Sequence, residues 1–174
     1  MNRLARTLDQ CRYRLSLLPE RLARLRYFRG HGVHSPFVYA IVRQVFMRST
    51  LNTDAPLAEA LYRSLREHRV PHKQAVLLAN LCLHCGYGQI SFGLPSAGLC
   101  LMALRDTAPT ALAAYARAAR DGGGMLIIQS PCLNREREQA CCALVAAHEG
   151  TSVDHGGCLL LFNNEKLPKQ HYRI

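Results

Sequence analysis

The chain has 174 residues, of which 49% are hydrophobic and 20% charged, and its formal net charge is +10. A chain of this size can bury the core of one domain without disulfide staples. Its longest apolar run is far shorter than the roughly 20 residues that span a bilayer, and no charged and then apolar leader opens the sequence. We therefore expect a soluble protein with no membrane span.

The positive charge is concentrated at the start of the chain. Residues 1–29 hold eight arginines against two acidic residues, which is +6 of the total. Apolar residues recur there at spacings of four and three from Leu4 to Leu25, so an apolar seam is predicted along helices that Pro19 divides in two. The arginines favour an anionic surface or a nucleic acid as partner, or form a solvated face. The seam favours docking onto the rest of the chain or onto a sister subunit of a homodimer.

Eight cysteines are scattered through mostly apolar segments. This distribution is typical of reduced thiols that pack as small hydrophobic side chains, and it predicts a cytoplasmic location. Cys82, His84 and Cys85 are of the types that bind zinc, but a structural zinc site normally needs a second closely spaced pair. We therefore expect no metal site.

Caps, chain breakers and apolar runs predict the elements in chain order. Ser35 and Pro36 predict the start of a helix whose apolar face includes Ile41 and Val45. Thr53 or Asp54 is the expected cap of the next helix. The further predicted elements are a helix over 57–68, a buried parallel strand over 75–82, a strand over 99–104, a helix over 110–120, a strand over 125–129, a helix over 135–148 and two paired strands over 157–162 and 170–174. The order predicts an α/β fold that closes in an antiparallel strand pair.

Three stretches carry a resemblance to a known family. Residues 30–38 read Gly-His-Gly-Val-His-Ser-Pro-Phe-Val and follow the basic helical start. This run resembles the N-terminal signature of a group of bacterial class I S-adenosylmethionine (SAM) dependent methyltransferases of the Bacteroidetes type. Residues 134–138 and the closing stretch 157–174 resemble the same family. The resemblance implies a reduced Rossmann-like methyltransferase sheet.

The same resemblance divides the chain and places a cofactor. It implies a basic helical N-terminal extension over residues 1–50 and a shortened methyltransferase-like α/β domain over residues 51–174. SAM would bind at the carboxyl ends of the first strands, with Asn80, Gly86 and Gly88 lining its methionine end. No catalytic residue is assigned, and the methyl acceptor is not identified.

The middle of the sequence departs from the pattern of the family. No Asp or Glu stands between His68 and Asp106, so no carboxylate is available there for the ribose or the amino group of SAM. Gln129 follows the third predicted strand where the family has acidic residues. The short middle also implies that at least one strand and helix unit is missing. We therefore expect a SAM-dependent methyltransferase-like protein with impaired or lost SAM binding. The alternative is a non-catalytic interaction or scaffold protein that uses the basic N-terminal helices.

Overall fold

The computed structural model describes Tyr13 and residues 34–94, 100–155 and 157–174. These residues form a mixed five-stranded sheet with helices packed on both of its faces. The predicted α/β class is thereby confirmed. Apart from Tyr13, the predicted basic helices lie outside the described residues, as do residues 30–33 of the 30–38 signature. None of the helices in the described ranges combines the length and the apolar character needed to cross a membrane.

The first face of the sheet is covered by helices from the first half of the described chain. They are α1 (Pro36–Ile41), which continues into a π-helical turn (Val42–Phe46), α2 (Pro56–Glu67) and α3 (His72–His84). The predicted cap of α1 is confirmed, because the Ser35 hydroxyl accepts a hydrogen bond from the Val38 amide at 3.4 Å and Pro36 opens the helix. The predicted cap of α2 is wrong. Ala55 stands at the capping position and offers no side-chain bond, and Pro56 starts the helix instead.

The sheet and the second helical layer follow. The strands are β1 (Cys100–Ala103), β2 (Met125–Gln129), β3 (Thr151–Asp154), β4 (Cys158–Phe162) and β5 (Gln170–Arg173), and the helices are α4 (Leu112–Asp121) and α5 (Arg135–Ala147). The strand order is β1-β2-β4-β3-β5. The β1–β2 and β3–β5 pairs are parallel, and β4 is antiparallel to both of its neighbours.

Alternating side chains of the strands divide the core between the two faces. Cys100 and Met102 of β1 pack with α1 to α3, whereas Leu101 and Ala103 pack with α4 and α5. β2 and β4 alternate in the same way. The central strands are therefore buried on both sides, which explains their continuous apolar sequences.

The predicted strand over 75–82 is wrong, because these residues belong to helix α3. Periodicity could not distinguish a buried strand from a buried helix here, because α3 is buried on nearly all sides from Ala75 to Cys82. Composition held the useful signal. The run is rich in Leu and Ala, which favour helices, and Val76 is its one β-branched residue.

The predicted pairing of the last two strands is also wrong. β3 lies between β4 and β5, antiparallel to β4 and parallel to β5, so the sheet ends in a parallel pair. β3 escaped prediction because it has four residues and three of them are polar. Thr151 and Ser152 are buried nonetheless, and their hydroxyls bond to the Pro168 carbonyl at 2.8 Å and to His171 Nδ1 at 2.8 Å.

Candidate functional site

The carboxyl ends of the parallel strands β1 and β2 meet at one edge of the sheet, where α/β proteins commonly bind ligands. In this chain the buried side chain of Arg137 occupies that edge, with 1% of its surface exposed. Its guanidinium donates hydrogen bonds to the carbonyls of Thr107 at 2.5 Å, Leu104 at 2.9 Å and Gln129 at 3.0 Å. The arginine thus joins the loop after β1 to the end of β2.

Two glutamines complete this network. Gln129 accepts a hydrogen bond from the Arg105 amide at 2.9 Å and donates one to Gln74 Oε1 at 2.9 Å. Gln74, in the first turn of α3, donates in turn to the Gly157 carbonyl at 2.8 Å. Helix α3 is therefore tied across the strand ends. We call this region, made by Gln74, Leu104, Thr107, Gln129 and Arg137, the closed edge.

The charge of Arg137 is balanced mainly by carbonyl dipoles. No carboxylate forms an ion pair with it within the part of the chain that the structure describes, and its Nε finds no partner there. Burial lowers its pKa, and the thiol of Cys141 and the carboxylate of Asp106 oppose that shift. A guanidinium remains charged under such a shift.

Sequence reasoning missed Arg137. One signal for it does exist, since Arg137 and Cys141 are four residues apart and share the buried side of α5. A guanidinium that is buried on the apolar side of a helix needs hydrogen-bond partners, as Arg137 has.

Asn80, a predicted cofactor-binding residue, lies on α3 rather than at the end of a strand. Its side chain is almost fully buried and engaged at both ends. Asn80 Oδ1 accepts a hydrogen bond from the Asn52 amide at 2.9 Å, and Nδ2 donates one to the Thr50 carbonyl at 3.0 Å. Asn80 thereby fixes the loop that follows the π-helical turn.

The two predicted glycines follow the same helix. Gly86 lies just beyond α3 with φ +77°, a left-handed conformation that glycine adopts without strain. A Cβ placed on Gly88 would meet Leu57 at 3.7 Å, an ordinary contact. The structure thus puts both glycines at the end of a helix and not in a turn after a parallel strand.

Asn80 lines a cleft of about 550 Å³ between the π-helical turn, the loop after it and the C-terminal half of α3. We call it the arginine cleft. Its apolar wall is formed by Val45, Ala55 and Leu83. Its polar side chains all carry hydrogen-bond donors, and they are Arg43, Gln44, Arg48, Asn52, Asn80 and His84. No carboxylate is among the described residues that line it.

Most of these donors are unused. Arg43 makes one weak contact, to the Met47 sulfur at 3.7 Å. The side chains of Gln44, Arg48, Asn52 and His84 form no hydrogen bond or ion pair with residues 34–94, 100–155 or 157–174. No local pattern in the sequence indicates this cleft, because its arginines and Asn80 meet only through the packing of α3 against the π-helical turn.

The cysteine and histidine motif of α3 does not converge. Cys82 is buried with its Sγ 3.7 Å from that of Cys100, Cys85 is half-buried, and His84 is exposed at the arginine cleft. Burial raises the pKa of Cys85 to about 12. No three Cys, His, Asp or Glu side chains gather in a metal-binding group within the described ranges.

A larger cleft, of about 840 Å³, lies between α4, α5 and the loops that follow α5 and β4. It mixes charges, since Arg117 and Arg120 share it with Glu149 and Glu165. Its deeper polar groups are already engaged in bonds to main-chain carbonyls, as His148 is. This cleft therefore lacks a preference for one sign of ligand charge.

Tyr13 lies on the second face of the sheet. Its side chain is half-buried beside α5, and burial together with a hydrogen bond to Glu138 raises the pKa of its hydroxyl. Tyr13 thus contacts the second helical layer.

No family model matches the chain, and comparisons with curated proteins and with solved structures find no match either.

Proposed function

We propose that this chain is a methyltransferase-like α/β domain that has lost SAM binding at the carboxyl ends of its strands and acts by binding a partner. The observation that carries the proposal is the closed edge. The crevice that SAM would need is occupied there by the Arg137 guanidinium and spanned by the pair of Gln74 and Gln129. The methyltransferase kinship rests on the resemblance of residues 30–38, 134–138 and 157–174.

Electrostatics supports the loss of SAM binding. The sulfonium and amino groups of SAM are cations, and the buried charged group at this edge is the cationic Arg137. The carboxylate of Asp106, in the loop after β1, interacts electrostatically with Arg137, so that cation partly offsets its charge. Opening the edge would also leave the carbonyls of Leu104, Thr107 and Gln129 without their donor, which costs free energy in a buried site.

The N-terminal segment is the proposed partner-binding element. It carries most of the positive charge, and Tyr13, its described residue, lies beside Glu138 of α5. An apolar seam turned toward the domain would leave the arginines facing outward. The proposed partner is an acidic surface, which those arginines would attract.

We also propose a reducing, cytoplasmic setting. All seven cysteines in the described ranges are free, and four of them are buried in the core. Burial raises the pKa of Cys141 and of Cys158 to about 12, which keeps both as unreactive thiols at neutral pH.

Calorimetric titration of the full chain with SAM and with S-adenosylhomocysteine tests the proposed function. We expect no heat of binding at millimolar ligand from a protein whose cooperative unfolding shows that it is folded. Micromolar binding of either ligand would overturn the proposal, because it would require a crevice that the closed edge does not leave.

A further inference from the structure

We propose that the arginine cleft binds a small organic phosphate. The described residues that line this cleft do not belong to the closed edge. The cleft of about 550 Å³ falls within the usual range of roughly 300–1,000 Å³ for small-molecule sites. The inference is independent of the proposed loss of SAM binding.

The first argument is the chemistry of the lining. Arg43 and Arg48 flank the cleft, and no described carboxylate shares it. Guanidinium groups match phosphate oxygens with pairs of parallel hydrogen bonds. Two guanidinium groups in one cleft favour a dianion over a singly charged carboxylate.

The second argument is that the donors remain available. Among the described residues, Arg48 has no acceptor and Arg43 has only the Met47 sulfur. Arg137 provides the contrast within the same chain, because three carbonyls already take its donors. Arg43 and Arg48 therefore retain the hydrogen-bonding capacity that an anionic ligand would use.

The third argument is that the cleft is held in shape by buried groups. The π-helical turn closes with a bond from the Met47 amide to the Val42 carbonyl at 3.1 Å, and such turns recur at functional sites. Asn80 anchors the loop that carries Asn52. Asn80 is thus a positioning residue that sets the spacing between Arg48 and α3.

The apolar wall indicates that the ligand has an organic part. Val45, Ala55 and Leu83 line the cleft beside the arginines. An inorganic phosphate would leave this surface wet, whereas an attached carbon skeleton would cover it. An organic phosphate is therefore expected to bind more tightly than phosphate alone.

The test is calorimetric titration of the full chain with phenyl phosphate, inorganic phosphate and acetate at constant ionic strength. We expect saturable binding of phenyl phosphate, weaker binding of inorganic phosphate and the weakest binding of acetate. The double variant R43A/R48A should lower the phenyl phosphate affinity by about tenfold or more, because the charged hydrogen bonds to the phosphate are lost.

The matched control is R105A/R135A, which removes the same two charges from exposed arginines that do not line the cleft. It should keep the affinity of the unmodified chain within about twofold if binding is local rather than a response to net charge. All four side chains are exposed, so both double variants should keep the fold, which circular dichroism checks.

Three outcomes would overturn the inference: no saturable binding of phenyl phosphate, equal binding of acetate, or equal weakening in the two double variants. SAM carries no phosphate. Its binding would therefore count against the proposed function alone, whereas failure of phosphate to bind would count against this inference alone.

Discussion

The closed edge and the arginine cleft use the same side chain in opposite ways. At the closed edge, Arg137 is buried and gives its donors to three carbonyls of the chain itself. In the arginine cleft, Arg43 and Arg48 are exposed, and no carbonyl or carboxylate among the described residues takes their donors. Satisfied donors hold the fold together, whereas unsatisfied donors at a cleft are free to bind a ligand.

Replacing Arg137 by Met should produce the largest effect. The carbonyls of Leu104, Thr107 and Gln129 would lose their donor inside the protein. We expect a loss of about 3–5 kcal/mol in the free energy of unfolding, because each orphaned group costs roughly 1–3 kcal/mol. Urea denaturation measures it.

The control for that variant is Arg135→Met, two residues earlier at the exposed first position of α5. It should change the free energy of unfolding by less than about 0.5 kcal/mol. A similar loss in both variants would show that Arg137 does not lock the edge.

Asn80→Ala should have the next largest effect, because it removes the partner of both the Asn52 amide and the Thr50 carbonyl. We expect a loss of about 2 kcal/mol in stability and a weaker affinity for phenyl phosphate, since the loop beside the cleft loses its anchor. Denaturation and calorimetry on the same variant measure the two effects.

Asn52→Ala is the matched comparison for Asn80. It leaves the main-chain bond to Asn80 in place and removes a side chain that has no bond in the described part of the chain. Its stability should stay close to that of the unmodified chain. If Asn52→Ala were as damaging as Asn80→Ala, the anchoring role of Asn80 would be wrong.

Gly86 and Gly88 differ in whether their backbone conformation requires glycine, and alanine substitutions test that difference. Gly86→Ala should cost about 1 kcal/mol of stability, because its φ of +77° is unfavourable for a residue with a Cβ. Gly88→Ala should be nearly neutral, since the added Cβ makes an ordinary contact with Leu57. Thermal unfolding of both variants checks this. Equal destabilisation by the two substitutions would contradict it.

The sequence predicted the fold best where strands were apolar throughout. β1, β2 and β4 were predicted from such runs, and the helix predicted over 135–148 corresponds to α5. α3 was misread because burial on nearly all sides erased its helical period. β3 was missed because Thr151 and Ser152 are polar but find partners in the fold, which a single sequence does not reveal.

The candidate sites were harder to predict, because they depend on residues far apart in the chain. Asn80 was chosen through a family resemblance and as the end of a strand, and it instead lies on a helix that lines a cleft. Arg43 and Arg48 reach that cleft only through the packing of the π-helical turn against α3. Local patterns record helices and caps, whereas a cleft between them is a property of tertiary structure.

His148, like Arg137, is a titratable side chain that already has hydrogen-bond partners within the protein. Its Nε2 lies 3.3 Å from the Thr151 carbonyl and 3.2 Å from the Phe162 carbonyl. Burial lowers its pKa below the ordinary 6.5, and the two carbonyls and Glu149 only partly oppose that shift. The neutral ring therefore belongs to the folded state.

The sign of the pH effect follows from that shift. As the pH falls through 6.5, the unfolded chain takes up a proton at His148 before the folded chain does, so stability declines until the folded pKa is passed. The contribution is at most about 1.4 kcal/mol for each pH unit in that window. His148→Gln should remove this decline, which denaturant titrations at a series of pH values would show. Two results would contradict this: the same dependence of the free energy of unfolding on pH in the variant, or an NMR titration that places the pKa of His148 above 6.5. Either would mean that the carbonyls stabilise the charged ring and that burial is not the dominant effect.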